Sequence, residues 1–451
     1  MASQSNLMTE GSIQKHLISF AVPLFLGNLF QQLYNTADSL IVGNFLGSEA
    51  LASVSSSGHL IFLMIGFFNG IAIGGGVVSA NYFGARDKEG LSRSIHSLTA
   101  FGLAAGAALT LIGILLAPGI LTLMGTPEQI LAGSITYFRI YFAGSIPFVM
   151  YNIFVGILQS VGDSRHPLYY LVIASLINIV LDLLFIAGFH MGVGAAAGAT
   201  VISQLISMVL CLRRLLCTKE EYRLIPSKIR FDPPMLKKII RNGLPAGFQN
   251  SIIGFANVIV QTNINSFGEI AVAGQGVYSK IEGFGFLPIT CFAMALTTFI
   301  SQNLGAGKIE RAKKGARFGL FCSMSVAEVI GILIFIFAPF LMGLFDRNPE
   351  VIVSGVGRAR ADCLFYCLLA FAHGTAGVMR GAGRASVPMF VMLGCWCIAR
   401  VAFITVALHF IPSINVINWA YPLTWALSSV VFLIYYLRSD WTNMSKERKF
   451  A

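Results

Sequence analysis

Residues 156–167 read GILQSVGDSRHP and residues 377–388 read GVMRGAGRASVP, so two glycines and a proline return after 221 positions (156 to 377). The same offset relates further pairs along the chain: Gly47 and Gly268, Gly84 and Gly305, Pro118 and Pro339, Arg139 and Arg360. Most of the residues between these positions are apolar. A duplication of this length in an apolar chain is typical of transporters built from two similar bundles.

The composition places the chain in a bilayer. Of its 451 residues 56% are hydrophobic and 11% are charged, whereas soluble domains carry about 25% charged residues. The net charge of +11 comes from Lys and Arg in short connections, where the positive-inside rule explains them better than nucleic-acid binding does. Most of the eight cysteines lie in apolar spans without His or carboxylate partners in register, so we expect neither a metal centre nor a cofactor.

Runs of about 20 apolar residues predict an all-α membrane protein with twelve transmembrane helices. Their approximate limits are 17–43, 57–81, 94–117, 133–160, 168–188, 192–216, 238–265, 275–301, 316–340, 353–379, 387–411 and 416–437. Basic residues concentrate after even-numbered spans, and the odd-numbered connections carry only Arg347. We therefore predict a multi-pass protein of the cell (plasma or inner) membrane with both termini cytoplasmic.

A polar stretch from Thr218 to Lys237 divides the chain into two halves. We expect an N-terminal lobe over 1–217, a cytoplasmic linker over 218–237 and a C-terminal lobe over 238–451. Six spans separate each residue from its repeat partner, so both copies cross the membrane in the same direction. The two six-helix bundles are then related by a pseudo-twofold axis along the membrane normal.

Two acidic residues inside spans suggest the site of function. Asp38 lies in the first span, and Asp182 lies in the fifth, one turn after Asn178. A carboxylate at a helix centre costs about 2.5 to 3.5 kcal/mol on translocon scales, so neither residue is expected to face lipid. Both lie about one to two turns from the predicted extracellular ends of their spans, so they are at matching depth.

Paired carboxylates in a low-dielectric lobe favour uptake of a proton, and with amide and hydroxyl oxygens they also suit Na⁺. The structural alternative is that each Asp caps a broken helix or pairs with a buried Arg. Intramembrane acids are functional by default, which favours an ion site.

In these features the chain resembles the multidrug and toxic compound extrusion (MATE) family over essentially its whole length. The resemblance rests on short patterns in a shared order: Asn35-x-x-Asp38, Val42-Gly43, Leu46-Gly47, Gly84-Ala85, Pro167-Leu168 leading to Asn178, Asp182 and Gly188, and Gly192–Ala196 followed by Thr200. For the DinF-like branch the resemblance implies a cation site in the N-terminal lobe, formed by Asp38, Tyr137, Asn178, Asp182 and Thr200. The NorM-like branch has an essential Asp in span ten, and the matching stretch 367–372 holds none.

Other polar residues are candidates for the substrate contacts. Span seven carries more amides than a lipid-facing helix needs, with Gln249, Asn257 and Gln261 near one face, and Asn35 precedes Asp38 in the first span. Interhelical hydrogen bonding is the alternative role for these amides. Glu282 in span eight is either a second proton or drug-cation site or the structural partner of Arg400, and the pairing is favoured here.

These features predict a secondary antiporter that exports amphipathic, often cationic organic compounds in exchange for H⁺ or Na⁺. Its partners are then small organic molecules and the lipid bilayer, and we expect a monomer. A lipid or lipid-linked oligosaccharide flippase of the same fold is the alternative, although such flippases are expected to have a more cationic cavity. An intramembrane enzyme is a remote alternative, because the seven histidines are scattered and lack partner nucleophiles.

Overall fold

The computed structural model describes residues 7–123 and 126–443, so the extreme ends of the predicted lobes lie outside the described residues. The described part is helical and contains fifteen α-helices. They are α1 (Ile13–Leu46), α2 (Ser48–Gly84), α3 (Lys88–Leu123), α4 (Glu128–Ala143), α5 (Ser145–Ser160), α6 (Arg165–Asp182), α7 (Val193–Cys217), α8 (Pro233–Asn265), α9 (Glu269–Gly305), α10 (Ile309–Gly343), α11 (Pro349–Asp362), α12 (Tyr366–Gly381), α13 (Ser386–Met392), α14 (Arg400–Phe410) and α15 (Ile414–Arg438).

Twelve helical segments of the described chain correspond to the twelve predicted spans. Nine segments are long and apolar enough to cross a membrane, and α4 and α5 together form a tenth. The remaining two are α2 with 37 residues and α8 with 33 residues. In α8 the amide side chains that the sequence shows in span seven lower the hydropathy.

Several spans are interrupted where the apolar runs predict continuous helices. Span four bends by 49° between α4 and α5, at Gly144. A π-helical turn, Leu183–Gly188, follows Asp182 in span five. A second one, Leu393–Ala399, precedes Arg400 in span eleven. Turns of this type often mark functional positions, and here each one adjoins the charged residue of its span.

The repeated glycines of residues 156–167 and 377–388 are explained by close helix packing. A Cβ added at Gly156 would lie 3.1 Å from the carbonyl oxygen of Ala72, and one at Gly377 would lie 2.3 Å from that of Ala293. Ala72 and Ala293 are themselves repeat partners. Small residues let membrane helices approach this closely, so both halves use the same contact.

The repeat also preserves backbone turns. Positive φ angles occur at Gly162 (86°) and at its partner Gly383 (76°), just before α6 and α13. At another pair only one partner is a glycine: Arg86 has a φ of 56°, and its partner Gly307 has a φ of 71°.

The helices form two compact units. The first is built on Pro23–Leu244, and the second on Met8–Val22 together with the chain from Pro245 onwards. Consequently α1 and α8 each change unit at an internal proline, Pro23 and Pro245. In the first unit Phe138 and Phe142 stack with centroids 4.3 Å apart at the centre of the core.

Candidate functional site

The first unit brings the two predicted acids together. Asp38 is partly buried in α1, and Asp182, the last residue of α6, has no exposed surface. Their carboxyl groups lie within interaction distance of one another. Asn178 is 1% exposed one turn before Asp182 on the same helix, so α6 presents an amide and a carboxyl group on one face.

Most side-chain polar atoms of the two acids and Asn178 lack a hydrogen-bond partner among the described residues. Both carboxyl oxygens of Asp182, Oδ1 of Asp38 and both polar atoms of the Asn178 side chain are buried without a hydrogen bond to any described residue. Neither acid forms an ion pair with a described Lys, Arg or His. A buried polar atom without a hydrogen-bond partner lowers the stability of the fold. A proton shared by the facing carboxyl groups, or a small cation bound between their oxygens, removes that cost.

Tyrosine and threonine side chains complete the surroundings of the acid pair. Tyr137 is 6% exposed and interacts electrostatically with both acids. Asn178 and Thr200 line a common cavity of about 10 Å³ together with Tyr34. This volume is close to the roughly 10–15 Å³ that one water molecule needs. The five residues of the predicted cation site therefore lie in one neighbourhood of the first unit.

Tyr34 is a member of this neighbourhood that the sequence analysis did not select. It lies four residues before Asp38 on α1 and therefore on the same helix face. It interacts with both acids and lines the cavity. The spacing from Asp38 was the signal available in the sequence.

The predicted substrate contacts have different environments. Gln249 is 3% exposed, and its Nε2 donates to Sδ of Met392 at 2.8 Å. Asn257, Gln261 and Asn35 are exposed, and Gln261 donates to Oδ1 of Asn265 at 2.9 Å. The last three side chains are accessible to a ligand, whereas Gln249 lies inside the second unit.

The predicted pairing of Glu282 with Arg400 is wrong. Nη2 of Arg358 lies 3.3 Å from Oε2 of Glu282. Arg400 instead donates from Nε and Nη2 to Oγ1 of Thr424, at 3.1 and 2.9 Å. The partner is Arg358 because α11 packs against α9, a lateral contact that the sequence does not reveal. Arg358 is buried as deeply as Arg400, since each arginine is 3% exposed.

Arg358 organises a buried cluster in the second unit. It donates to Oδ2 of Asp362 at 3.2 Å and to Oε1 of Gln275 at 2.7 Å. The ring of Tyr421 lies between the two arginines, 4.4 Å from Cζ of Arg358 and 4.3 Å from Cζ of Arg400. Two guanidinium groups thus balance the carboxylates of Glu282 and Asp362. Oδ1 of Asp362 is the one buried polar atom of this cluster without a partner among the described residues.

Comparison with known proteins assigns the family. A family model described as MatE matches residues 23–184 and again residues 245–406, which together make up more than half of the chain. The chain belongs to the MatE family. The two MatE matches begin at Pro23 and Pro245, the positions where the chain passes from one compact unit to the other. Asp38 and Asp182 both lie within the first match.

Relatives in the MatE family cover nearly the whole chain. A protein of Bacillus subtilis named as the probable multidrug resistance protein YoeA is 28% identical over an alignment of 450 residues that covers 96% of each chain. The probable multidrug resistance protein NorM of Thermotoga maritima is 26% identical and covers 87% of this chain and 86% of its own. A protein of Shewanella oneidensis named as an FAD transporter is 24% identical, with 75% and 76% covered.

Solved structures of MATE proteins share the fold. One, described as MATE in complex with MaL6, superposes with a TM-score of 0.91 at 24% identity and covers 97% of this chain and 98% of its own. Another, an outward-facing multidrug resistance MATE transporter, gives 0.91 at 23% identity with the same coverage. The predicted fold of twelve transmembrane helices in two bundles is confirmed. The protein is a multi-pass membrane transporter rather than an enzyme.

Proposed function

We propose that this transporter exports amphipathic, often cationic organic compounds in exchange for H⁺ or Na⁺. Relatives named as multidrug resistance proteins support the export of such compounds. The observation that carries the ion coupling is the acid pair, Asp38 and Asp182, whose buried oxygens lack partners among the described residues. A membrane protein keeps such groups where an ion binds and leaves.

The proposed cation site is Asp38, Tyr137, Asn178, Asp182 and Thr200, as in the DinF-like branch. Asp38 and Asp182 supply the charge that a proton neutralises or that Na⁺ requires. The side-chain oxygens of Asn178 and Thr200 are suitable neutral ligands for Na⁺. Tyr137 closes the site with a hydroxyl group and an aromatic ring.

Ion binding and substrate binding are then coupled through the charge of the acid pair. Loading the pair with an ion changes the net charge around α1, which also carries the exposed amide Asn35 only three residues from Asp38. An ion that favours one conformation of α1 disfavours a drug that binds the other. Asn257 and Gln261 are proposed as further polar contacts for the substrate, together with Gln249 and Glu282 if the second unit opens to the ligand.

The flippase alternative requires free cationic groups for a lipid-linked phosphate. The buried arginines of the second unit are instead engaged by Glu282, Asp362, Gln275 and Thr424, so this alternative gains no support. Location in the cell (plasma or inner) membrane, cytoplasmic termini and a monomeric state are part of the proposal. A reporter fused at Glu128 or Glu350 should be extracellular, and one between Lys219 and Arg230 should be cytoplasmic.

The test is uptake of a fluorescent cationic dye into inverted vesicles under separately imposed proton and sodium gradients. Wild-type protein should accumulate dye with one of the two gradients. Asp38→Asn and Asp182→Asn should abolish accumulation at unchanged membrane levels, because an amide neither binds nor releases a proton. Asp346→Asn, which changes an acid outside the spans, is the matched control and should leave uptake intact.

Full dye accumulation by Asp38→Asn at normal membrane levels would remove the ion site from the first unit. Transport by wild-type protein that ignores both gradients would exclude antiport altogether. Because the cargo is unidentified, the assay should include an anionic dye, whose uptake in place of the cationic one would reverse the proposed substrate class.

A further inference from the structure

The two units differ in how the chain leaves its last helix. In the first unit, residues 218–232 follow α7 and cross the basic end of α3. The backbone N–H of Ile225 donates to Nε2 of His96 at 2.9 Å, and the N–H of Asp232 donates to Oγ of Ser97 at 3.4 Å. Nε of Arg93 also lies 2.6 Å from Oδ2 of Asp232. The end of α3 is thereby covered by the linker.

In the second unit the described chain ends five residues after α15, and these residues fold into a short hook, residues 439–443. Arg384 holds the hook with Nη2 2.6 Å from the carbonyl oxygen of Asp440. Trp441 is 4% exposed and stacks on Tyr436 with centroids 5.4 Å apart. Lys313 and Arg317 of α10 are the repeat partners of Ser92 and His96. Residues 8–11 hold the start of α10 through Arg311. Among the described residues, neither Lys313 nor Arg317 has a hydrogen bond to the hook.

A cavity of about 280 Å³ remains between the hook and the end of α10. Its cations are Lys313 and Arg317, and its one carboxylate is Asp440, which accepts a hydrogen bond from Oγ1 of Thr442 at 2.9 Å. Lys313 has a partner in Glu310 at 3.1 Å. Arg317 forms no ion pair with the described residues, and Oγ of Ser439 is buried in the cavity wall without a partner among them. The cavity therefore has room and donors for an anionic group.

Apolar side chains continue from this cavity toward the membrane. Phe321 lies one turn beyond Arg317 on α10 and is 69% exposed, and Leu437 on α15 is 71% exposed. Leu433, one turn earlier on α15, is 45% exposed. Side chains this apolar and exposed lie against acyl chains in a bilayer. A ligand for this position thus needs a charged head and an apolar tail.

We propose that the hook cavity binds the headgroup of an anionic phospholipid, with its acyl chains along Phe321, Leu433 and Leu437. The phosphate accepts from Arg317, Lys313 and the Ser439 hydroxyl, and the Tyr436–Trp441 stack lies at the headgroup level, where amphipathic rings are favoured. The positive-inside rule predicts that this end of the helices is cytoplasmic, the side where anionic lipid attracts basic segments. Beyond the hook the sequence holds three basic residues, Lys446, Arg448 and Lys449, against one acidic residue, Glu447.

The test measures thermal unfolding and native mass spectra of the full chain in detergent with phosphatidylglycerol added, and with phosphatidylcholine as the neutral comparison. Lys313→Gln/Arg317→Gln should weaken phosphatidylglycerol binding by about 30-fold, the loss expected for two cations at a membrane surface. Lys237→Gln/Lys314→Gln removes two exposed cations outside the cavity and should change binding by less than about 3-fold. Arg317→Gln alone is the second variant if the double one does not fold.

Further arms separate the possible ligands. Inorganic phosphate that stabilises the protein as strongly as phosphatidylglycerol would overturn the lipid assignment in favour of a free anion. Equal binding of phosphatidylcholine, or equal loss in the control variant, would also overturn it. A chain ending at Asn443 should retain the lipid, and loss of binding on this truncation would assign the lipid to the C-terminal residues instead of the cavity.

Discussion

The two halves of the chain place opposite chemistry at equivalent positions of the repeat. Tyr137 and Thr200 of the proposed cation site correspond to Arg358 and Tyr421 in the second unit, and Ile179 corresponds to Arg400. In the first unit the two acids form no ion pair with a described basic residue. In the second, Arg358 bonds to Glu282, Asp362 and Gln275, and Arg400 bonds to Thr424. The duplicated scaffold thus holds one site whose buried carboxyl oxygens lack partners among the described residues, which is the proposed ion site, and one site whose charges are largely paired.

In the proposed antiport, this difference favours the first unit as the one that carries the ion. A buried network that is already neutral gains little from binding a further ion, and removing one member leaves an uncompensated charge. A pair of unpartnered acids gains directly from a proton or Na⁺. We therefore assign the ion coupling to the first unit and rigidity to the cluster around Arg358.

The largest expected effect comes from Arg358→Ala. The change leaves Glu282 and Asp362 without their cation, so the free energy of unfolding should fall by about 3–5 kcal/mol. Thermal unfolding of detergent-purified protein, followed by size exclusion, measures the loss. Arg360→Ala on the same helix, where the side chain is exposed, should be nearly neutral. Equal stability of the two variants would show that the cluster is not structural.

A second contrast uses Thr424 and its repeat partner Ser203. Oγ1 of Thr424 accepts two hydrogen bonds from Arg400, whereas Oγ of Ser203 only donates to the carbonyl oxygen of Ala199. Thr424→Val should therefore cost about 1.5–3 kcal/mol, the range for bonds to charged groups, and Ser203→Ala about 0.5 kcal/mol. The same unfolding assay compares them. A larger loss at Ser203 would reverse the assignment of rigidity.

Dye binding should respond to the ion only through the first unit. A coupling of about 1–3 kcal/mol gives roughly 5- to 150-fold tighter dye binding when the acid pair is unloaded, at high pH without Na⁺. Titrations across pH and Na⁺ concentration measure this ratio. Asp38→Asn should erase the dependence, and Glu282→Gln should preserve it. If Glu282→Gln removes the dependence of dye affinity on pH and Na⁺ while Asp38→Asn keeps it, the ion coupling belongs to the second unit instead.

The smallest effect concerns the segments that cover the basic helix ends. Hydrogen bonding from Arg93 holds the pKa of Asp232 below its usual value, so this pair stabilises the fold above about pH 4 and its contribution is lost as pH falls through the lowered pKa. Arg93→Gln should cost about 0.2–1 kcal/mol at neutral pH, and the difference from wild type should vanish in acid.

Arg311 in the second unit provides the comparison, because it donates to the carbonyl oxygens of Met8, Glu10 and Gly11. Carbonyl oxygens do not titrate, and Glu10→Gln removes the carboxylate that interacts with Arg311. In that background the cost of Arg311→Gln should stay constant as pH falls through about 4. Unfolding temperatures measured across pH for both variants check the two slopes. Parallel slopes would contradict the role given to Asp232.

Much of the fold could be predicted because its signals are local. Apolar runs identified the helices, and the offset identified the duplication together with the glycines that the helix contacts require. The two π-helical turns carry no local signal, whereas the bend at Gly144 has one in Pro147, which lies in the first turn of α5. Asp38 and Asp182 could be predicted as site residues because acidic residues are rare and costly inside membrane spans.

The second cluster was missed for a different reason. Arg358 lies near the start of its span, where a basic residue attracts no notice, and its partner Glu282 is a neighbour only through the packing of α11 on α9. The repeat offset nevertheless connected Arg358 to Tyr137 and Tyr421 to Thr200. The offset between the site residues and these two positions is therefore the signal in the sequence that points to the cluster.

The turn at Arg86 has a consequence for how the protein is made. A side chain at φ 56° strains the backbone by about 1–2 kcal/mol, and Gly307 makes the same turn without that cost. Arg86 is, however, the first basic residue of the connection between the first two hairpins, followed by Lys88 and Arg93. These charges are synthesised before most of the protein, and the positive-inside rule predicts that they orient the spans inserted after them. The strained turn at Arg86 adds a positive charge to this early connection, whereas Gly307 makes the equivalent turn without strain and without a charge.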